Sequence, residues 1–202
     1  MKLYYYPGAC SMAVHIALRE AGIAFDPDKV DLDQHQTTDG QDFYNINPKG
    51  YVPALRLDNG QILTEDAVLL QYVADLKPAS GLAPKAGMLE RYRLMEWLNF
   101  ISSEVHKTLG ALFNPKITPE WKENQIDLFG RRCDYLVEAL GDKPYLMGDK
   151  FTIADAYLFT ILGWANLFKI DLGNWPSLQS YAERIAARPM VQEAMQAEGL
   201  IP

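Results

Sequence analysis

Residues Lys77 to Gly87 read KPASGLAPKAG, and this stretch of proline, glycine and serine separates two different hydrophobic patterns. Before it, short apolar runs alternate with segments of helical spacing; after it, only helical spacing is found. Such a break predicts two domains. The expected division is a mixed α/β domain over 1–78, a linker over 79–87 and an all-helical bundle over 88–202.

In the first part, Lys2 to Tyr6 is short, aromatic and closed by Pro7-Gly8, which predicts a strand and a turn. From Ser11 to Ala21 the residues Val14, Ala17, Leu18 and Ala21 recur at helical spacing, and Gly22 ends the run. Lys29 to Leu32 alternates as a second strand, His35 to Gly40 is a polar loop, and Asp42 to Ile46 suits a short helix. Ala54–Leu57 and Gln61–Leu63 flank Asp58-Asn59-Gly60 as a hairpin. A helix then runs from Glu65 to Asp75 with Val68, Leu69, Tyr72 and Val73 on one face and Thr64 in the capping position. The resulting order is β-α-β-α-β-β-α.

Beyond the linker, helices are expected over Met88–Leu112, Pro119–Leu140, Ile153–Ile170, Ser177–Ala187 and Met190–Gln196. Thr152-Ile153-Ala154-Asp155 has the spacing of a capping box ahead of an apolar run, which gives Thr152 and Asp155 a structural role.

Several residues are candidates for chemistry. Cys10 and Ser11 sit where the first strand turns into the first helix, among unpaired amides and the positive end of the helix dipole, a place that favours thiolate. Plain packing of Cys10 as a small hydrophobe is the alternative. Tyr4, Tyr5 and Tyr6 read chiefly as packing residues, and His15 as a packing or hydrogen-bonding one. Val52-Pro53 precedes a strand; if its peptide bond is cis, the Val52 backbone offers an edge for an extended peptide. Glu65 and Asp66 open a helix, where carboxylates complement the dipole, and one of them together with the residue 66 amide suits the ammonium and carboxylate of a small ligand. Asn99, Ser103, His106 and Gly110 share a helix face, with Lys107 adjacent; the stripe is either solvated or faces the thiol across a domain cleft.

Charge and motif content narrow the classes. A net charge of −7 argues against a nucleic-acid partner. No run of about 18 apolar residues and no apolar leader core is found, so a soluble cytoplasmic protein is expected. The two cysteines, Cys10 and Cys133, and the scattered histidines His15, His35 and His106 have no metal spacing, so no metal is expected. Neither a dinucleotide fingerprint nor a P-loop is present.

Taken in order, PGACSMAVHIAL, Tyr51-Val52-Pro53, Leu63-Thr64-Glu65-Asp66, Asn99 with Ser103-Glu104-Val105-His106-Lys107, and Phe151-Thr152-Ile153-Ala154-Asp155 resemble the bacterial beta-class glutathione transferases over essentially the whole chain. The resemblance implies a thioredoxin-like N-terminal domain that binds glutathione at a cis Val52-Pro53 bond. It also implies an all-α helical-bundle domain that binds small hydrophobic electrophiles, a homodimer, and a role in detoxification. By the same resemblance Cys10, Ser11, His106 and Lys107 serve the glutathione sulfur. His35, Tyr51, Val52, Pro53, Glu65, Asp66 and Asn99 bind glutathione, and Ser103 and Glu104 reach the partner subunit's ligand. Thiolate conjugation and Cys10-dependent thiol-disulfide exchange are both open, and a non-catalytic binding or scaffold protein is the alternative.

Three positions depart from the family pattern. His35 stands where relatives carry a lysine for the glycyl carboxylate, and Tyr51 replaces a glutamine. Asp66 replaces a serine or glycine and adds negative charge where a ligand carboxylate is expected, which weakens binding unless the side chain turns away as a cap.

Overall fold

The computed structural model describes residues 1–202. The chain divides into two compact units, Met1–Ala83 with Ala187–Pro202, and Pro84–Ala186.

In the first unit, β1 (Lys2–Tyr5), β2 (Asp26–Asp31), β3 (Gln36–Thr37), β4 (Ala54–Arg56) and β5 (Ile62–Thr64) form one sheet in the order β3-β2-β1-β4-β5. β1 lies at its centre, parallel to β2 and antiparallel to β4, with Leu3 opposite Pro27 on one side and Leu55 on the other. A central strand is covered on both faces, so its alternating side chains enter two different cores. Tyr4 is buried in a cluster with Val30, Phe43, Ile46, Val52 and Ala54, while Tyr5 faces the His15 ring of α1 (Ser11–Glu20). Tyr4 and Tyr5 therefore pack, and Tyr6 beside them is exposed.

The β4–β5 hairpin turns at Asn59-Gly60 as expected, with Asn59 Oδ1 accepting from the Gln61 N–H and Gly60 at φ +84°. β3 is a strand that the polar run His35–Gly40 did not signal; two residues pair antiparallel with the end of β2. α2 (Asp66–Leu76) buries Leu69, Leu70, Val73 and Ala74, whereas Val68 is exposed, so its inward face is rotated from the one expected. Thr64 is not its cap. The N-cap is Glu65, at φ 73° and without a side-chain capping bond, and the Thr64 hydroxyl accepts from Lys49 Nζ at 2.7 Å.

The last helix, α8 (Pro189–Ala197), belongs with the first unit, whereas the sequence reading ran the helical domain to residue 202. Its attachment is specific. Arg188 makes a two-pronged pair with Glu20 at 2.7 and 2.9 Å, and buried Glu198 accepts from His15 Nδ1 and from the Gly8 N–H, both at 2.9 Å. His15 Nε2 accepts from Arg19 Nε at 2.9 Å, which leaves the proton on Nδ1 for Glu198. His15 is thus the hydrogen-bonding residue expected of it.

The second unit contains α3 (Leu89–Phe100), α4 (Lys107–Gly110), α5 (Pro119–Leu140), α6 (Ile153–Leu167) and α7 (Pro176–Ala186), with a π-helical segment, Ile101–His106, joining α3 to α4. α6 is buried on every side from Ile153 to Leu162 and forms the centre of the bundle. Its start carries the expected capping box. The Asp155 carboxylate accepts from the Thr152 N–H (2.8 Å), the Thr152 hydroxyl (2.9 Å), the Leu146 N–H (2.8 Å) and the Tyr181 hydroxyl (2.9 Å). One buried carboxylate therefore ties the α6 N-terminus to the preceding loop and to α7. No helix is long and apolar enough to cross a membrane.

Candidate active site

The loop Pro7-Gly8-Ala9-Cys10 carries the chain from β1 into α1. Gly8 has φ +71°, a conformation that L side chains rarely adopt, and Leu200 of the C-terminal tail packs 3.4 Å from where a Cβ would stand. Ser11 is fully buried, and its hydroxyl accepts from the Tyr6 N–H at 3.2 Å and donates to the Tyr6 carbonyl at 3.3 Å. Ser11 thereby pins the loop that presents Cys10.

Cys10 occupies the N-cap of α1 but makes no side-chain capping bond. Its sulfur donates to the Val52 carbonyl at 3.4 Å and lies within 4.8 Å of the Asp66 carboxylate. Burial and the neighbouring Asp66 carboxylate push this thiol well above the ordinary cysteine range, against the lowering that the backbone amides of Cys10 and Ser11 exert. This corrects the sequence expectation of a thiolate. The helix end is there, but desolvation and a neighbouring carboxylate outweigh it.

Asp66, the first residue of α2, is 6% exposed and turns inward to Cys10. Its Oδ1 has no hydrogen-bond partner. Burial raises its carboxyl to about 7, the Cys10 thiol opposes the rise, and Glu65 adds to it. Asp66 therefore does not cap α2 with its side chain. The Asp66 and Ala67 amides remain at the positive end of an 11-residue helix without partners.

Glu65 holds a positive φ, a conformation costly for a residue with a Cβ, and its carboxylate is exposed and paired with Lys49 Nζ. The Val52-Pro53 bond is cis. Val52 is buried, its carbonyl takes the Cys10 thiol, and its N–H has no partner. Tyr51 is 71% exposed while its carbonyl accepts from Asn47 Nδ2 at 2.6 Å. His35, at φ 51°, stacks on the Tyr44 ring with centroids 4.5 Å apart, its Nε2 3.2 Å from the Tyr44 hydroxyl and its Nδ1 buried without a partner.

In the helical unit, the π-helical segment breaks the stripe expected of Asn99, Ser103, His106 and Gly110. Hydrogen bonds of i to i+5 type widen the turn, so α-helical spacing no longer keeps these residues on one face. Asn99, Ser103 and Lys107 are exposed, and the Ser103 hydroxyl donates to the Asn99 carbonyl at 3.0 Å. Glu104 accepts from Arg132 at 2.5 Å. His106 turns toward α6, its Nδ1 2.7 Å from the Tyr157 hydroxyl and its ring edge-on to Trp164 at 5.0 Å. Phe113 and Phe168 extend this aromatic group, with Phe113 51% exposed.

Residues 8–76 match the description of the glutathione S-transferase N-terminal domain, and residues 100–189 that of the C-terminal domain. The chain is 44% identical to glutathione S-transferase GstA of Escherichia coli O157:H7 over 99% of this chain and all of the relative. It belongs to the glutathione S-transferase family. The fold is the family's thioredoxin-like domain joined to a helical one. Two solved structures sharpen the placement. A sphingomonad glutathione S-transferase complexed with glutathione is 46% identical with a TM-score of 0.96, each chain covered fully. A beta-class glutathione S-transferase of Sphingomonas chungbukensis is 48% identical, also with a TM-score of 0.96 and full coverage of both chains. This glutathione transferase is accordingly of the bacterial beta-class type, as its motifs indicated.

Four groups of this transferase went unnoticed in the sequence. Lys49, Tyr157 and Glu198 gain their importance from partners 16, 51 and 183 residues away, and no local spacing signals them. The fourth is the Asp66 carboxylate as a neighbour of Cys10; the sequence marks Asp66 as a helix-opening charge and a ligand contact, with no sign of its nearness to the thiol.

Proposed function

We propose that this transferase conjugates the glutathione thiolate to small hydrophobic electrophiles. The observation that carries the reading is a set of binding groups on the first unit: the unpaired Val52 N–H, the unpaired Asp66 and Ala67 amides at the start of α2, and the exposed Glu65 carboxylate, which is bonded to Lys49 through Oε1. An extended peptide pairs through its backbone with Val52. A γ-glutamyl end sets its ammonium on Glu65 and its carboxylate on the helix-start amides. The sphingomonad relative with bound glutathione supports the choice of peptide. His35 and Tyr51 border the site as further proposed contacts, and Pro53 fixes the Val52 turn.

In this reading the nucleophile is the sulfur of glutathione. Cys10, a thiol bonded to Val52 and raised by burial and by Asp66, is poorly suited to act as a resident thiolate, so conjugation is favoured over thiol-disulfide exchange. The glutathione thiolate forms a bond to an electrophilic carbon, whose leaving group departs with the electron pair. Ser11 holds the Cys10 loop in place. From the resemblance we assign His106 and Lys107 to the sulfur, Asn99 to glutathione, and Ser103 and Glu104 to the partner subunit's ligand in a homodimer; the Phe113, Trp164 and Phe168 group suits a hydrophobic electrophile.

Retention on immobilised glutathione together with turnover of a chlorinated nitrobenzene tests the proposal. Binding without turnover across several electrophiles favours the scaffold reading instead. Cys10→Ala is expected to retain aryl-halide conjugation; its abolition would make Cys10 an obligatory participant.

A further inference from the structure

Lys49 is the cation bonded to the corner where Glu65 opens α2. Its Nζ donates to Thr64 Oγ1 at 2.7 Å and to Glu65 Oε1, and an ammonium has three donors, so one remains for another acceptor.

The side chain springs from a turn that the protein pins firmly. Asn47 is 2% exposed, and its carboxamide accepts from the Lys49 N–H at 3.2 Å and donates to the Tyr51 carbonyl at 2.6 Å; its carbonyl accepts from the Gly50 N–H at 2.8 Å. Gly50 has φ +68°, and a Cβ there would meet the Tyr44 ring at 2.7 Å. The turn therefore tolerates little displacement, and Lys49 is offered to the α2 start by a rigid support. The same turn continues into the Val52 backbone.

Charge balance gives Lys49 a purpose. Glu65 and Asp66 place two carboxyl groups at this corner, and a γ-glutamyl ligand brings a third against a single ammonium of its own. A fixed cation offsets the excess.

We infer that Lys49 is a ligand-binding residue that reads the α-carboxylate of the amino-acid end of the peptide substrate while keeping its bond to Glu65. This rests on the glutathione reading above. Glu65, with two oxygens, accepts from Lys49 and from the ligand ammonium together, so Lys49 aids the ligand and does not compete with it.

The test is calorimetric titration of the full chain and its Lys49→Met and Lys49→Gln variants with two peptides. One is glutathione, and the other is 4-aminobutyryl-cysteinylglycine, which retains the ammonium and lacks the α-carboxylate. Lys49 is 46% exposed at its side chain, so both variants leave the core untouched. Each variant is expected to weaken glutathione about three- to tenfold, as loss of a partly exposed charged contact does, and to leave the decarboxylated peptide within about twofold. Equal weakening of both peptides overturns the inference, and tighter glutathione binding identifies Lys49 as a competitor and overturns it as well. Failure of the unsubstituted chain to bind glutathione removes the underlying reading, and is told apart because it appears before any substitution.

Discussion

The Cys10 sulfur lies within 4.8 Å of the Asp66 carboxylate, so the residues that begin α1 and α2 share one buried corner. Two helix N-termini would favour two anions there. With little solvent to stabilise them, the thiol stays protonated and the carboxyl rises to about 7.

Asp66→Asn removes the charge that raises the thiol. Alkylation of Cys10 by iodoacetamide at pH 8 should accelerate about tenfold, the effect of lowering a thiol by roughly one pKa step. Mass spectrometry assigns the site. Cys133 does not interfere, because it is fully buried and desolvation pushes it up to about 12. An unchanged Cys10 rate would show that burial alone controls the thiol.

The same carboxyl gives stability a pH dependence. Its folded value near 7 lies above the ordinary 3.8, so between about pH 4 and 7 the folded state binds more protons than the unfolded one. Stability contributed by Asp66 is therefore present below that window and lost as pH rises through 7, by an amount on the order of a few kcal/mol. Thermal melts from pH 5 to 8 should show this decline in the native chain, and Asp66→Asn should flatten it.

Asp155→Asn leaves the four donors around that carboxylate with a weaker and incomplete acceptor set. A loss of about 2–4 kcal/mol is expected from breaking such a buried network. The protein that remains folded should retain its conjugation rate per molecule. Reduced turnover at unchanged melting temperature would instead give Asp155 a part in the chemistry.

Glu198→Ala removes the carboxylate that accepts from the His15 Nδ1–H and the Gly8 N–H in the interior of the first unit. Destabilisation of about 2–4 kcal/mol should follow, with faster proteolytic cleavage around α8, since its anchoring at the tail is lost. Cleavage as slow as in the native chain would mean that the Arg188–Glu20 pair holds the helix unaided.

The sequence by itself determined the parts of this protein that depend on neighbours in the chain. Period-2 and period-3.6 patterns marked β1, the β4–β5 hairpin, α1, α2 and the long helices. Thr152-x-x-Asp155 marked the start of α6, because a capping box closes within one turn. The ordered motifs from Pro7 to Asp155 were enough to indicate the family.

Only the tertiary structure decided how the chemical groups behave. Cys10 looked like a thiolate because its local surroundings, a helix start, favour charge; burial, together with Asp66 from 56 positions along the chain, reverses that. The stripe through His106 was drawn on α-helical spacing and was broken by a π-helical segment that carries no local signal. α8 was assigned to the helical bundle because it is a helix, whereas buried Glu198 and Arg188 attach it to α1. Periodicity encodes which face of an element is buried, but pKa values and partners follow from which charges share a dry volume, and long-range packing sets that.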